Sequence, residues 1–291
     1  MKKAENRKVF HEKRFFFLSG KGGVGKSTLS SSLALLFSQK GFKTLVVSLD
    51  PAHSLSIAFA DSALPPNLSV HEIDIEKEMK NYLNKVKKDA EKIVSPVILE
   101  EIKKQIEIAY YSPGAFELAI ADAIYKIYKN YSNQYDKIIF DTAPSGYTVR
   151  LMTVPDLLEN WLKHMINLRK KALKLKAMAE LKENDEEDPL ISILEKRLKE
   201  TQTLSHLFSG EETEFMVITN PGRLPIEIAK KTVKELESAG INVEYIILNK
   251  WKEKIPSPFP HKKTIFIKEL PEEPIGVEKL KKIAEMIERS L

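Results

Sequence analysis

Residues Gly20 to Thr28, G-K-G-G-V-G-K-S-T, hold the densest potential chemistry in this chain. Gly20, Gly25, Lys26 and Ser27 satisfy the spacing G-x-x-x-x-G-K-[ST] of a phosphate-binding loop. Glycines let successive backbone N–H groups turn inward with no Cβ in the way, forming a nest for anionic oxygens. Lys26 adds a point charge for the outer phosphates, and the Ser27 hydroxyl is the expected Mg²⁺ ligand. Gly22, Gly23, Val24 and Thr28 complete the cradle. An apolar run, Phe15–Leu18, precedes the loop, and a helix-forming run, Leu29–Gln39, follows it. That strand–loop–helix setting predicts nucleotide binding. Lys21, a second lysine near the start of the loop, is not required by the spacing; an exposed loop side chain is one reading of it.

Three further polar residues close apolar runs. Asp50 follows Thr44–Leu49, and the carboxyl ends of strands are where open α/β sheets bind ligands. It could orient or deprotonate an attacking water, or simply start a turn before Pro51. His53, close behind, reads as a loop-fixing residue. Asp141 ends Lys137–Phe140 in a Walker-B arrangement, whose carboxylate holds Mg²⁺ directly or through water. Gly146 gives the loop after it freedom to respond to a γ-phosphate. Asn249 closes Tyr245–Leu248; its amide suits a nucleobase, and an ordinary polar strand end is the alternative.

These residues need a sheet to position them. Strand candidates are Arg14–Leu18, Thr44–Leu49, Leu68–Ile73, Lys137–Phe140, Glu214–Thr219, Tyr245–Leu248 and Thr264–Ile267. Their alternation with helical stretches predicts an α/β fold, a mainly parallel, doubly wound P-loop sheet. Residues 15–291 read as one P-loop domain with a helical subdomain inserted at about 76–132 and 155–210. The second insertion is read as starting after Pro155, and it ends its early part in an acidic loop, Asp185–Asp188. Leu158, Trp161, Met165, Leu168, Ala172 and Leu175 recur there at heptad-like spacing, and Leu162 and Ile166 give a second apolar face. Such a face is either buried between neighbouring helices or a groove for an apolar client helix, with Leu158, Trp161, Leu162 and Met165 as its candidate lining.

Composition sets outer bounds. The 291 residues include no cysteine, which excludes disulfides, thiolate metal sites and cysteine nucleophiles. No run of 18 apolar residues occurs and the N-terminus is charged, so a soluble cytoplasmic protein is expected. Of the formal net charge of +5, residues 1–14 carry +4, which marks them as a basic, flexible tail. Such a tail could touch acidic lipid or nucleic acid, but a solvated lead-in is the simpler reading, and no nucleic-acid partner is expected.

The string Lys21-Gly-Gly-Val-Gly-Lys26-Ser resembles the deviant Walker A loop of the dimeric P-loop ATPases that include the MinD and ParA groups. Phe140-Asp-Thr-Ala-Pro-Ser-Gly-Tyr-Thr-Val-Arg150-Leu-Met and Asp50-Pro-Ala-His-Ser are narrower. They resemble the arsenical-pump-driving and tail-anchored-protein-targeting ATPases, as do Ser112-Pro113-Gly114 with Glu117, Leu224-Pro225-Ile226-Glu227, Leu248-Asn249 and Glu273-Pro274-Ile275-Gly276. The resemblance spans about residues 14–277. It implies an ATPase that uses ATP and Mg²⁺ as a homodimer, with Lys21 reaching the partner's nucleotide in the manner of an arginine finger. It further implies Asp50 as the water-positioning acid, Asp141 as the Mg²⁺-linked acid, Asn249 as an adenine contact and Pro271 against the ring. Switch motion would run through Asp50–Ser54 and Asp141–Arg150. The implied partners are the hydrophobic helix of a tail-anchored membrane protein and a membrane receptor. A regulatory subunit of an anion or metalloid transporter and a MinD/ParA-like positioning ATPase are the alternatives. Departures from the pattern bear on these. The absence of cysteine argues against metalloid transport and removes the zinc-holding CxxC pair, and Gly222 stands where a Pro-Glu pair is usual. With one P-loop in these 291 residues, the single-P-loop form of the family is expected.

Overall fold

The computed structural model describes residues 8, 10–51, 54–60, 62–94, 96–110, 114–180, 188–253 and 256–291. His53, Ser112, Pro113 and residues 185–187 of the acidic loop lie outside them. The described chain separates into two compact units, one of residues 1–74, 127–150 and 207–291, the other of residues 75–126 and 151–206.

The first unit is built on seven parallel strands among the described residues: β1 Phe15–Gly20, β2 Thr44–Ser48, β3 Leu68–Glu72, β4 Lys137–Asp141, β5 Thr213–Thr219, β6 Tyr245–Trp251 and β7 Lys263–Lys268. They lie in the order β3-β2-β4-β1-β5-β6-β7. Every expected strand is present within a few residues of its expected ends. The reason is visible in β1, where all six residues are buried, as a parallel strand covered on both faces requires. On one face Phe17 stacks between Phe140 and Phe215, at centroid separations of 4.5 and 4.8 Å. On the other, Phe16 meets Phe37 of helix α1 (Lys26–Gln39) at 4.8 Å. Short helix α2 (Ser54–Phe59) follows β2, α8 (Arg223–Ser238) joins β5 to β6, and α9 (Val277–Ser290) ends the unit. In α9, Val277, Leu280, Ile283, Ala284 and Ile287 are buried at helical spacing and belong to the same core as Leu29, Leu33 and Phe37 of α1. The C-terminal amphipathic stretch is therefore a packed helix.

The basic lead-in differs from expectation over residues 10–14. Phe10 is fully buried, 5.2 Å from Phe16 and 5.0 Å from Tyr245 between ring centroids. Lys137 donates to the carbonyls of His11 and Lys13 and lies over the rings of Phe37 and Phe42. Arg14 donates to the Ser132 carbonyl at 2.5 Å. One aromatic residue anchors a segment that composition alone marks as solvated. Nearby on β5, Glu214 is 2 % exposed and accepts a hydrogen bond from the Glu244 N–H at 3.3 Å.

The second unit comprises α3 (Ile75–Glu91), α4 (Pro96–Tyr110), most of α5 (Ala115–Tyr131), most of α6 (Ser145–Glu180) and α7 (Pro189–Ser209). Helix α6 begins ten residues before Pro155 and passes through it, where the sequence suggests a boundary. A proline inside a helix removes one backbone hydrogen bond, and 36 residues of helix accommodate that loss here. Gly146 accordingly lies in the first turn of a helix, not in a loop. Leu162, Ile166 and Leu194 form a small core, with Leu158, Met165, Leu190 and Leu198 packed on it. Asp188 caps α7 by accepting from the Ile191 N–H at 3.0 Å, and Arg169 holds it through two nitrogens at 2.8 and 3.1 Å.

Candidate functional site

The phosphate loop leaves the carboxyl end of β1 in a shape that favours glycine, most clearly at Gly20 and Gly25. A Cβ on Gly20 would lie 2.7 Å from the Ile218 carbonyl oxygen on neighbouring β5. Gly25 has φ 93°, the left-handed region, and immediately precedes α1. Lys26 opens that helix and is 7 % exposed. Burial pulls its ammonium below the ordinary lysine range, while Asp141 and Asp50 pull it back up.

Parallel register brings the two acids to this place. Asp141 pairs with Leu18 of β1 on one side and with Ser48 of β2 on the other, so the ends of three adjacent strands converge. Its carboxyl is fully buried, and burial raises its pKa to about 6 against the opposing Ser27 hydroxyl and Lys26 ammonium. Ser30, one turn along α1 from Ser27, donates to Asp141 Oδ1 at 3.3 Å, while Oδ2 is buried with no hydrogen-bond partner among the described residues. Asp50 is half-buried, its N–H directed to Ser48 Oγ at 3.3 Å. Behind Asp141, the Thr142 hydroxyl donates to the Leu18 carbonyl at 2.7 Å and lies 2.8 Å from the Thr148 hydroxyl. These contacts tie the start of α6 to β1.

A cleft of about 650 Å³ opens here. Gly22, Gly23, Gly25, Lys26, Ser27, Thr28, Asp50, Asn249 and Pro271, all expected from sequence, line it together. Gly20 and Val24 shape the loop from below, and Asp141 is buried behind it. Lys21 is exposed and is not among the lining residues. Lys250, Lys268 and Glu269 also line the cleft, unforeseen from sequence, although Lys250 adjoins Asn249 and Lys268 ends β7.

The donor set fits a divalent cation carried in with phosphate. Asp141 supplies a buried carboxylate with an unused oxygen, and Ser27 a hydroxyl beside it. Among the described residues no cluster of three His, Asp or Glu side chains could hold a metal alone. The remaining ligands would have to be phosphate and water oxygens, which suits Mg²⁺.

In the helical unit, the candidate client residues separate. Leu162 is buried in the small core, Leu158 and Met165 are half-buried against it, and Trp161 is 54 % exposed. Leu157, Leu168, Leu175 and Met178 are also exposed, and with Trp161 they follow one stripe along α6. Leu158, Trp161 and Leu162 also line a cavity of about 360 Å³ whose polar wall includes Tyr82, Asp122, Arg197 and Glu200. Lys85 bridges Asp122 and Glu200 at 2.8 and 3.0 Å. No helix among the described residues is long and apolar enough to cross a membrane.

Comparison with known proteins shows what the chain is similar to. Residues 13–254 match the family described as anion-transporting ATPase. The chain is 36 % identical over 242 residues to a putative arsenical pump-driving ATPase 2 of Aquifex aeolicus, covering 81 % of this chain and 80 % of that one. It is 31 % identical over 249 residues to an ATPase ASNA1 homolog of Entamoeba dispar, covering 81 % and 76 %. It is 31 % identical over 267 residues to ATPase GET3B of Arabidopsis thaliana, covering 82 % of this chain and 64 % of that longer protein.

Proposed function

Because the chain belongs to the anion-transporting ATPase family and is an ATPase of that family, we propose that it is a nucleotide-controlled carrier of apolar helices. It works as a homodimer that uses Mg²⁺ and ATP, captures the hydrophobic helix of a tail-anchored membrane protein, and hands it to a membrane receptor from the cytoplasm. The observation that carries this reading is the exposed α6 stripe of Leu157, Trp161, Leu168, Leu175 and Met178. Apolar side chains aligned along 22 residues of one helix suit another helix laid alongside. Relatives named ASNA1 homolog and GET3B support it.

Within the nucleotide cleft the roles divide by position. The loop from Gly20 to Thr28 cradles phosphates and Lys26 neutralises them. Ser27 and Asp141 would hold Mg²⁺, which supplies charge neutralisation at the transferring phosphoryl group when bound. Asp50 orients the attacking water, Asn249 meets the base, and Pro271 lies against the ring. Lys21, exposed on the loop, serves the partner's nucleotide when two copies meet, adding charge stabilisation only in the dimer.

Light scattering in ADP and in a non-hydrolysable ATP analogue tests the switch. Mass doubling in the analogue alone is expected; a monomer in both states would overturn the dimeric reading. A second reading, a regulatory ATPase of an anion transporter, is favoured by the name of the Aquifex relative. Stimulation of turnover by a purified membrane transporter, with none by an apolar peptide, would select it.

A further inference from the structure

We propose that Asn249 is a positioning residue that latches the phosphate loop to the end of β6, so that one side chain serves both ends of the nucleotide. The inference rests on the reading of Gly20–Thr28 as the phosphate cradle. Asn249 is 6 % exposed, and its amide is engaged at both termini. Nδ2 donates to the Val24 carbonyl, 225 positions away in sequence, at 2.7 Å, and Oδ1 accepts from the Lys250 N–H at 3.0 Å. These partners fix which way the amide points. Exchanging its N and O would set oxygen against the Val24 carbonyl and N–H against the Lys250 N–H.

The surroundings are shaped to this contact. A Cβ on Gly25 would lie 2.6 Å from Nδ2, so the loop approaches Asn249 as closely as a backbone without side chain can. Lys250 adopts φ 59°, an uncommon conformation for a residue with a Cβ. The pairing of β6 with β7 shifts register between Leu248 and Trp251, leaving Asn249 and Lys250 in the irregular stretch. Irregularities of this sort re-aim side chains beside functional sites. Together they direct an interior strand-end amide at the loop.

The consequence follows from peptide planarity. The Val24 carbonyl and the Gly25 N–H belong to one trans peptide unit and point in opposite directions. Holding the carbonyl toward Asn249 turns the Gly25 N–H the other way and fixes one donor of the nest. The amide has a second N–H, and Asn249 lines the cleft, so this N–H is left for the nucleobase. Base binding and phosphate binding then act on one rigid side chain. Without the latch, the loop would have to be ordered by the phosphates themselves, at a cost in affinity.

The test compares ATP with inorganic triphosphate, which has no base. Mg²⁺-dependent affinities for both are measured on the full chain and on Asn249→Ala, with the unfolding midpoint followed alongside. The latch predicts that triphosphate affinity falls about tenfold, the equivalent of about 1.4 kcal/mol and typical of one buried hydrogen bond. ATP affinity should fall at least as far. A residue that only contacts the base would lower ATP affinity and leave triphosphate unchanged; that result overturns the latch, as does no change for either ligand. Asn249→Leu, which fills the space but cannot donate, gives the same readout should the alanine variant not fold. Lys26→Ala separates this inference from its premise. Unchanged triphosphate binding by that variant would instead remove the phosphate-cradle reading.

Discussion

Replacing Glu214 by glutamine should change the protein's stability by an amount that rises with pH, from a net cost near pH 5 to a net gain near pH 8. Glu214 is 2 % exposed on β5, and burial together with the nearby Glu244 carboxylate raises its pKa from 4.5 to about 8. Below pH 4.5 the acid is protonated in both folded and unfolded chains and costs nothing. Between 4.5 and about 8 the unfolded chain ionises it while the folded chain keeps it protonated, so stability falls as pH rises. Each pKa unit is worth about 1.4 kcal/mol, giving a loss of about 3 kcal/mol by pH 7 and about 5 kcal/mol above pH 8. Glutamine retains an oxygen to accept the Glu244 N–H but adds an amide N–H that needs an acceptor, a cost of about 1–3 kcal/mol. That cost does not vary with pH. The diagnostic is therefore the slope: the stability difference between variant and parent should rise by about 1 kcal/mol per unit from pH 5 to pH 8. Urea unfolding at four pH values in this range measures it. A difference independent of pH would refute the argument that Glu214 is held neutral by burial.

Other perturbations address the cleft. Gly20→Ala should destabilise the fold by about 1–3 kcal/mol and abolish nucleotide binding, because its Cβ would meet the Ile218 carbonyl at 2.7 Å; melting curves with and without ATP check both effects. Asp50→Asn should keep ATP affinity and lower turnover about 100-fold or more, and unchanged turnover in a steady-state phosphate-release assay would remove its role with water. Lys21→Ala should leave nucleotide binding intact and reduce turnover by at least about 100-fold at every protein concentration, since its proposed target is the partner's nucleotide. Equal turnover would leave Lys21 as an exposed loop lysine.

The sheet is legible in the sequence because its interior strands are buried on both faces. Phe15, Phe16 and Phe17 in β1 or Ile138, Ile139 and Phe140 in β4 have few alternatives to a parallel interior strand. The start of α6 is not legible, because proline and glycine are read as breaks. Pro155 and Gly146 are carried here inside a helix whose first residues are tied back to β1 through Thr142 and Thr148. Phe10 is hidden by its company: Lys8, Lys13 and Arg14 suggest solvent, and only the aromatic pocket of Phe16, Phe37 and Tyr245 explains its burial. In the cleft, the phosphate loop stands out from local pattern alone, whereas Asp50 and Asn249 are strand-end candidates whose roles come from the family resemblance. Neither the contact from Asn249 to Val24 nor the presence of Lys268 can be read that way, since both depend on strands β6 and β7 joining the sheet beyond β5 from far along the chain. Of the apolar stripe on α6, spacing identifies the residues but not their exposure. Leu162 and Trp161 are neighbours in sequence with opposite fates, one in a core and one in solvent.

The most direct test of the proposed function is capture of a soluble peptide carrying one transmembrane-type apolar helix, measured with Mg²⁺ and a non-hydrolysable ATP analogue, then with ADP. A nucleotide-controlled carrier gives a stable complex in the analogue, its loss in ADP, and its loss in Trp161→Glu with ATP turnover retained. Capture that is the same in both nucleotides, or undiminished in Trp161→Glu, would contradict a nucleotide-controlled carrier that uses the α6 stripe.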